Sequence, residues 1–213
     1  TTEIYTLSLH DALPICLGTG LDLNTAITMF ARASISQEYE TPYGWSQLAL
    51  AGMLQHRYMH DTGTTERQIA SVVETLRKWA ALNPNAMLRK VKTADEIMDS
   101  PIISSPVRKR TMNVLADGAA AFIVTTAERA RDLVPQPAYL LGVGSRCTNF
   151  TSTQQPLDLN DSWKPAADEA YAMAGVRPED VDAAEIYDAF PTFILVSLEL
   201  LGLCKRGDRK SVV

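Results

Sequence analysis

Tyr187 and Asp188 carry the chemistry that is easiest to place, because they stand directly before Ala189, Phe190 and Pro191 and the apolar run 192–203. A phenol whose ordinary pKa is about 10 stays neutral near pH 7. It can donate a hydrogen bond to an oxyanion, or exchange a proton with a substrate hydroxyl if its pKa is lowered. Asp188 reads equally as a group that orients the turn and as a carboxylate interacting with the following helix dipole. His56 and His60 are four residues apart and could share one helix face, which is metal-ligand spacing. They lack an intervening Glu and a nearby third ligand, so a surface or loop-contact role is the favoured reading. Cys16, Cys147 and Cys204 are widely separated and form no C-x-x-C pair. Neither a disulfide framework nor a zinc site follows from them, and Cys147 and Cys204 read as small buried hydrophobes rather than nucleophiles.

The elements that must hold Tyr187 and Asp188 are a strand over residues 183–187, a tight turn and a buried helix. Pro191 suits the first helical position, where an N–H would be unpaired anyway, and Phe193, Ile194, Leu195, Val196, Leu198, Leu200 and Leu201 leave that helix almost no polar face. Such a helix needs other layers around it. A strand end that feeds a helix N-terminus is where open α/β sheets bind ligands.

Upstream, Ser46 is placed to cap a helix running to about His60. Thr65 with Gln68 forms a capping box for the next helix, with Ile69, Val72, Val73, Leu76 and Ala80 on one face, and Thr93 with Glu96 opens a third. The run 119–125 suits a central strand covered on both faces, and Thr126 caps a helix over residues 127–133. Pro135-Gln136-Pro137 marks a domain boundary, after which residues 138–143 begin a new sheet. A helix over 164–175 sets Ala167, Ala170, Tyr171 and Ala174 on one face. The expected organisation is a non-native tail at 1–15, one unit over 16–135, a second over 136–207, and another non-native tail at 208–213. The ends read as translated adapter sequence, which would remove any chemical meaning from His10; a true start and stop is the other reading.

With 46% hydrophobic and 21% charged residues, the 213-residue chain has an ordinary globular composition and can bury a core. The net charge of -5 argues against a nucleic-acid surface. The basic patch Val107-Arg108-Lys109-Arg110 could meet coenzyme phosphates, or be a solvated loop. No run approaches transmembrane length, no signal peptide is visible, and a reducing cytoplasm is the default compartment.

Tyr187-Asp188-Ala189-Phe190, followed by an apolar helix and Leu201-Gly202-Leu203-Cys204, resembles the second core strand-to-helix turn of the thiolase superfamily. It is most similar to the thiolase-like branch often named lipid-transfer proteins, related to sterol carrier protein thiolases. The block Asp117-Gly118-Ala119-Ala120-Ala121 resembles the strand that closes the first half of these enzymes, although Asp117 bracing a turn and Gly118 permitting close packing is the stronger reading of those two residues. The resemblance covers about residues 34–206. It implies an α/β fold, the layered αβαβα thiolase fold of two similar halves, with the Pro-punctuated helical region as the loop domain over the acyl-CoA channel. It implies an interior fragment that begins after the family's nucleophilic Cys and ends before its late His and Cys, and so is inactive alone.

It also implies a parent acting on a coenzyme A thioester, with no bound cofactor or metal, as an acyltransferase or as a retro-aldolase of hydroxyacyl-CoA steroid side chains. A homodimer and an OB-fold, zinc-ribbon partner are the implied assemblies. Tyr187 occupies the position of the Asn or His that binds water and the thioester oxygen in other branches, and this departure favours aldol cleavage over thiolysis. A non-catalytic lipid or acyl-CoA carrier is the competing reading.

Overall fold

Helix-capping side chains account for most of the local structure. The computed structural model describes residues 35–114, 123–148, 152–154 and 160–208. Helix α1 spans Gln47–Thr62, and the Ser46 hydroxyl accepts from the Ala49 N–H at its start. Helix α2 spans Glu66–Leu82 behind the capping box formed by Thr65 and Gln68. Helix α3, Ala94–Met98, opens on a second box formed by Thr93 and Glu96. Strands β1 (Ile102–Ser104) and β2 (Val107–Arg108) form an antiparallel hairpin that pairs Ile102 with Arg108 and Ser104 with Val107. Helix α4 spans Ala127–Leu133, capped by Thr126 as its sequence indicates. Helix α5, Asn160–Ala174, starts four residues before the expected Lys164 and continues through Pro165. Helix α6 spans Pro191–Leu200 with proline in its first turn.

Three apolar clusters join these elements. Leu54 and Tyr58 of α1, Ile69 and Val72 of α2, and Leu195, Val196 and Leu200 of α6 form the largest. Ala51 and Val107 pack with Ala189 and Phe190 of the turn before α6. Ala70, Val73, Ala94 and Ile97 bind α2 to α3. Trp163 of α5 packs against the first cluster and stacks on Phe193 with ring centroids 6.0 Å apart. The Tyr171 hydroxyl donates to the Leu201 carbonyl at 2.9 Å, tying α5 to the end of α6.

Two polar clamps bridge distant parts of the chain. The buried Glu40 carboxylate accepts the Ser36 N–H at 2.7 Å and the Thr153 N–H at 3.0 Å. Glu199 of α6 accepts from the Tyr58 hydroxyl and from the Gly207 N–H, each at 2.7 Å. Burial, and then the hydrogen bond to Glu199, push the Tyr58 phenol well above its ordinary pKa. The folded protein therefore keeps this proton where the unfolded chain loses it, so this part of the stability is intact below about pH 10 and declines as pH rises above it. In urea titrations across that range, Tyr58→Phe is expected to flatten the alkaline decline.

Gly52 is where α1 meets the hairpin turn. An added Cβ would stand 2.8 Å from the Ser105 carbonyl oxygen and 3.2 Å from that of Ser104. Gly→Ala inside a helix ordinarily stabilises by about 0.5–1 kcal/mol. Here the neighbour is backbone, so Gly52→Ala is expected to destabilise by about 1–2 kcal/mol, read as a lower urea midpoint.

The expected strands at 138–143 and 183–187 are corrected by the structure. Neither forms a ladder among the described residues, whose one described sheet is the β1–β2 hairpin. A strand is defined by its partner, and no described segment pairs with either stretch. Gly142 and Gly144 nonetheless lie close to α5, since a Cβ on either would collide with the backbone of Ala170 or Ala166. Most of the expected strand 119–125, with Asp117 and Gly118, lies outside the described residues, as do residues 1–15, 209–213, His10 and Cys16; Ile123 and Val124 are exposed and unladdered.

Candidate functional site

The turn that enters α6 is fixed from behind and open in front. Ala189 and Phe190 are buried against Ala51 and Val107, and the Ala189 carbonyl accepts the Asn113 N–H at 3.2 Å. Phe190 is the extended N-cap residue and offers no side-chain cap, while its carbonyl accepts the Phe193 N–H at 3.0 Å and Pro191 has no N–H to satisfy. Asp188 and Pro191 therefore emerge at a defined place, beside the segment 110–114.

A cavity of about 370 Å³ opens there, and both Asp188 and Pro191 line it. Its other walls are apolar side chains of α2, Val73, Leu76 and Ala80, with Met87 and Leu88 of the following loop and Met112 and Val114 of the 110–114 segment. Arg77, Arg110 and Asn113 supply further polar lining. The Arg77 guanidinium donates to the Leu88 carbonyl at 3.1 Å, and that of Arg110 to the Glu96 carbonyl. Carbonyl partners hold both groups in position and leave their charge in place, so two arginines and one aspartate contribute to a cavity of mixed apolar and polar lining. Such a lining suits an apolar body attached to an anionic group.

Tyr187 is 48% exposed, one residue before the cavity-lining Asp188, and is not itself part of the lining. The structure thus brings Asp188 to the cavity and does not bring Tyr187 into its lining. Asn113 and the apolar wall were not visible as site residues in the sequence, because they reach the turn from far along the chain. Arg110 was visible only as part of a basic patch. Within that patch Arg108 is committed to Glu66, at 3.1 Å and 3.2 Å, and to the Ser100 carbonyl.

His56 and His60 are exposed on α1, and the His60 Nδ1 lies 3.1 Å from Asp61. Among the described residues no three His, Cys, Asp or Glu side chains are grouped as a metal site. Cys204 is half-buried after α6, whereas Cys147 is exposed, against the expectation of a buried hydrophobe. No helix among the described residues is long and apolar enough to cross a membrane.

The fold is the α/β thiolase-like one: the solved Ltp2-ChsH2(DUF35) aldolase superposes with a TM-score of 0.73 at 30% identity, over 83% of this chain and 50% of that one. Residues 144–213 match the thiolase C-terminal domain-like family. A 17-hydroxy-3-oxo-4-pregnene-20-carboxyl-CoA lyase of Mycobacterium tuberculosis is 33% identical over 186 residues, 84% of this chain and 48% of the lyase. An acetyl-CoA acetyltransferase of Methanocaldococcus jannaschii is 29% identical over 195 residues, 90% of this chain and 50% of the transferase. The chain belongs to the thiolase superfamily. It spans about half the length of the curated relatives it matches.

Proposed function

We propose that the chain is part of an acyl-CoA enzyme that makes or breaks a carbon–carbon bond beside a thioester, in its retro-aldol form on hydroxyacyl-CoA substrates. The observation that carries this reading is the Tyr187–Asp188 turn, set at an apolar helix N-terminus beside a cavity with apolar walls and two arginines. The similarity to both a CoA-ester lyase and an acetyltransferase supports the broader class. Tyr187, in place of the Asn or His of other branches, favours cleavage without an acyl-enzyme.

In that reaction a base removes the proton of the β-hydroxyl, the Cα–Cβ bond breaks to leave a carbonyl product, and its electron pair passes into a thioester enolate that is then protonated at Cα. Tyr187 is the group proposed to exchange the hydroxyl proton or to hydrogen-bond the developing oxyanion. Coenzyme A enters as part of the substrate, and no bound cofactor is required. The division of the chain at Pro135–Pro137, action as a homodimer with an OB-fold, zinc-ribbon partner, and a cytoplasmic location belong to the same proposal.

The test is an assay of the complete polypeptide with hydroxyacyl-CoA and with 3-oxoacyl-CoA plus coenzyme A. Carbonyl release from the hydroxyacyl-CoA without added coenzyme is the expected result. Coenzyme-dependent thiolysis alone would assign the acyltransferase reaction instead, and binding with no turnover of either substrate would assign the carrier role.

A further inference from the structure

Helices α1 and α6 meet along one face of each. Ala51, Leu54, Gln55 and Tyr58 recur at helical spacing on α1, and Thr192, Leu195, Val196 and Glu199 recur in the same way on α6. Ala51 shares a cluster with Ala189 and Phe190 at the start of α6, Leu54 and Tyr58 share one with Leu195 and Val196, and the Tyr58 hydroxyl reaches Glu199 near its end. The two helices therefore run in the same direction, and how far α6 stands along α1 decides where its first turn lies. The apolar contacts of this seam are non-directional, so they favour closeness more than one register. Gln55 Oε1 and Thr192 Oγ1, buried on the same faces, have no hydrogen-bond partner among the described residues and do not fix it.

Glu199 supplies what the seam lacks. Its Oε1 accepts the Tyr58 hydroxyl and the Gly207 N–H, each at 2.7 Å, and such bonds weaken steeply with distance and angle. Gly207 lies against Thr62, the last residue of α1, since a Cβ there would stand 3.5 Å from the Thr62 Cβ, and the neighbouring Arg206 guanidinium reaches Asp61 at 3.3 Å. One carboxylate thus joins the end of α6, the end of α1 and the segment that follows α6. Tyr171 adds a separate tether from α5 to the Leu201 carbonyl, so loss of the Glu199 bonds is expected to displace α6 rather than release it.

The ten residues of α6 form a rod about 15 Å long, with Glu199 near one end and Pro191, which lines the cavity beside Asp188, at the other. Phe190 gives this other end no side-chain cap, and the Ala189 carbonyl accepts the Asn113 N–H at 3.2 Å. We infer that Glu199 is a positioning residue for the Tyr187–Asp188 turn: by fixing α6 along α1, it sets where that turn meets a substrate in the cavity. A rod carries an axial shift from one end to the other, and misplacement of a reacting group by about 1 Å can cost about a hundredfold in rate. The kinetic consequence rests on the reaction proposed above, whereas the displacement of the turn does not.

The test compares Tyr58→Phe, Glu199→Leu and Glu199→Gln in the complete polypeptide, by steady-state kinetics and by hydrogen exchange. Glutamine keeps an oxygen that accepts both donors, whereas the other two changes remove the Tyr58–Glu199 bond. Tyr58→Phe and Glu199→Leu are each expected to lower kcat about tenfold with KM held within about twofold, and to speed exchange of the Asn113 amide about tenfold. Glu199→Gln is expected to keep most of the parent's kcat and of its Asn113 protection. The Ile97 amide, bonded to the Thr93 carbonyl at 3.0 Å in α3, is expected to exchange as in the parent in all three. Equal acceleration at Ile97 and Asn113 would make Glu199 a general stabiliser and overturn the inference. Unchanged Asn113 exchange in Tyr58→Phe, unchanged kcat in an active parent, or a Glu199→Gln that loses as much as Glu199→Leu would overturn it as well. If the parent cleaves neither substrate, the reaction reading fails, and exchange at Asn113 still decides whether Glu199 places the turn.

Discussion

In the complete enzyme, Tyr187→Phe is expected to lower turnover about a hundredfold while changing the apparent substrate affinity little, since loss of one oxyanion donor costs about 3 kcal/mol of transition-state stabilisation. The substitution keeps the ring and removes only the hydroxyl. It leaves the buried Ala189–Phe190 step and its contacts with Ala51 and Val107 in place, so the turn itself is preserved. A split in which kcat falls and KM holds separates a role in the reaction from a role in packing. Wild-type turnover by Tyr187→Phe, on hydroxyacyl-CoA and 3-oxoacyl-CoA substrates that the parent accepts, would make Tyr187 a packing residue. Tyr187→Asn is expected to restore little if the reaction is aldol cleavage.

Ile69→Ala is expected to destabilise the chain by about 3–4 kcal/mol, because deleting a fully buried aliphatic side chain loses both transfer free energy and the contacts around the cavity it leaves. Ile69 is 1% exposed in the cluster where α1, α2 and α6 meet. Rigid helices on three sides limit how far the site can collapse. For a chain of this size the change corresponds to roughly 6–16 °C in melting temperature. The same cluster holds α6, and with it the orientation of the turn at its N-terminus. Calorimetry of Ile69→Ala and Ile69→Val checks the size; a loss from Ile69→Ala of no more than about 2 kcal/mol would mean that the site collapses around the deletion.

What was legible in the sequence was local. Ser46, Thr65 with Gln68, Thr93 with Glu96, and Thr126 each cap a helix where the sequence placed it, because a cap depends on residues within one turn of each other. The apolar helix from Pro191 was equally plain. The start of α5 was less so, because Pro165 imitates a first-turn proline while the helix continues through it from Asn160. The stretches at 138–143 and 183–187 have the composition of strands, yet composition does not supply a neighbour to pair with. On α2, Leu76 belongs to the apolar face by spacing, but it lies where that face leaves the core and enters the cavity wall. The cavity joins α2, the 110–114 segment and the turn at Asp188, and no one of these carries a local mark of the others.

The Glu40 carboxylate gives the molecule an unequal timetable. It links Thr153 to a turn 113 residues earlier, so the contact forms only after a long loop has closed, whereas its bond to Ser36 spans four residues. During refolding the Ser36 amide is therefore expected to gain protection from hydrogen exchange early and the Thr153 amide late. In the native state both bonds end on one side chain, so an opening that releases the carboxylate exposes the two amides to solvent together.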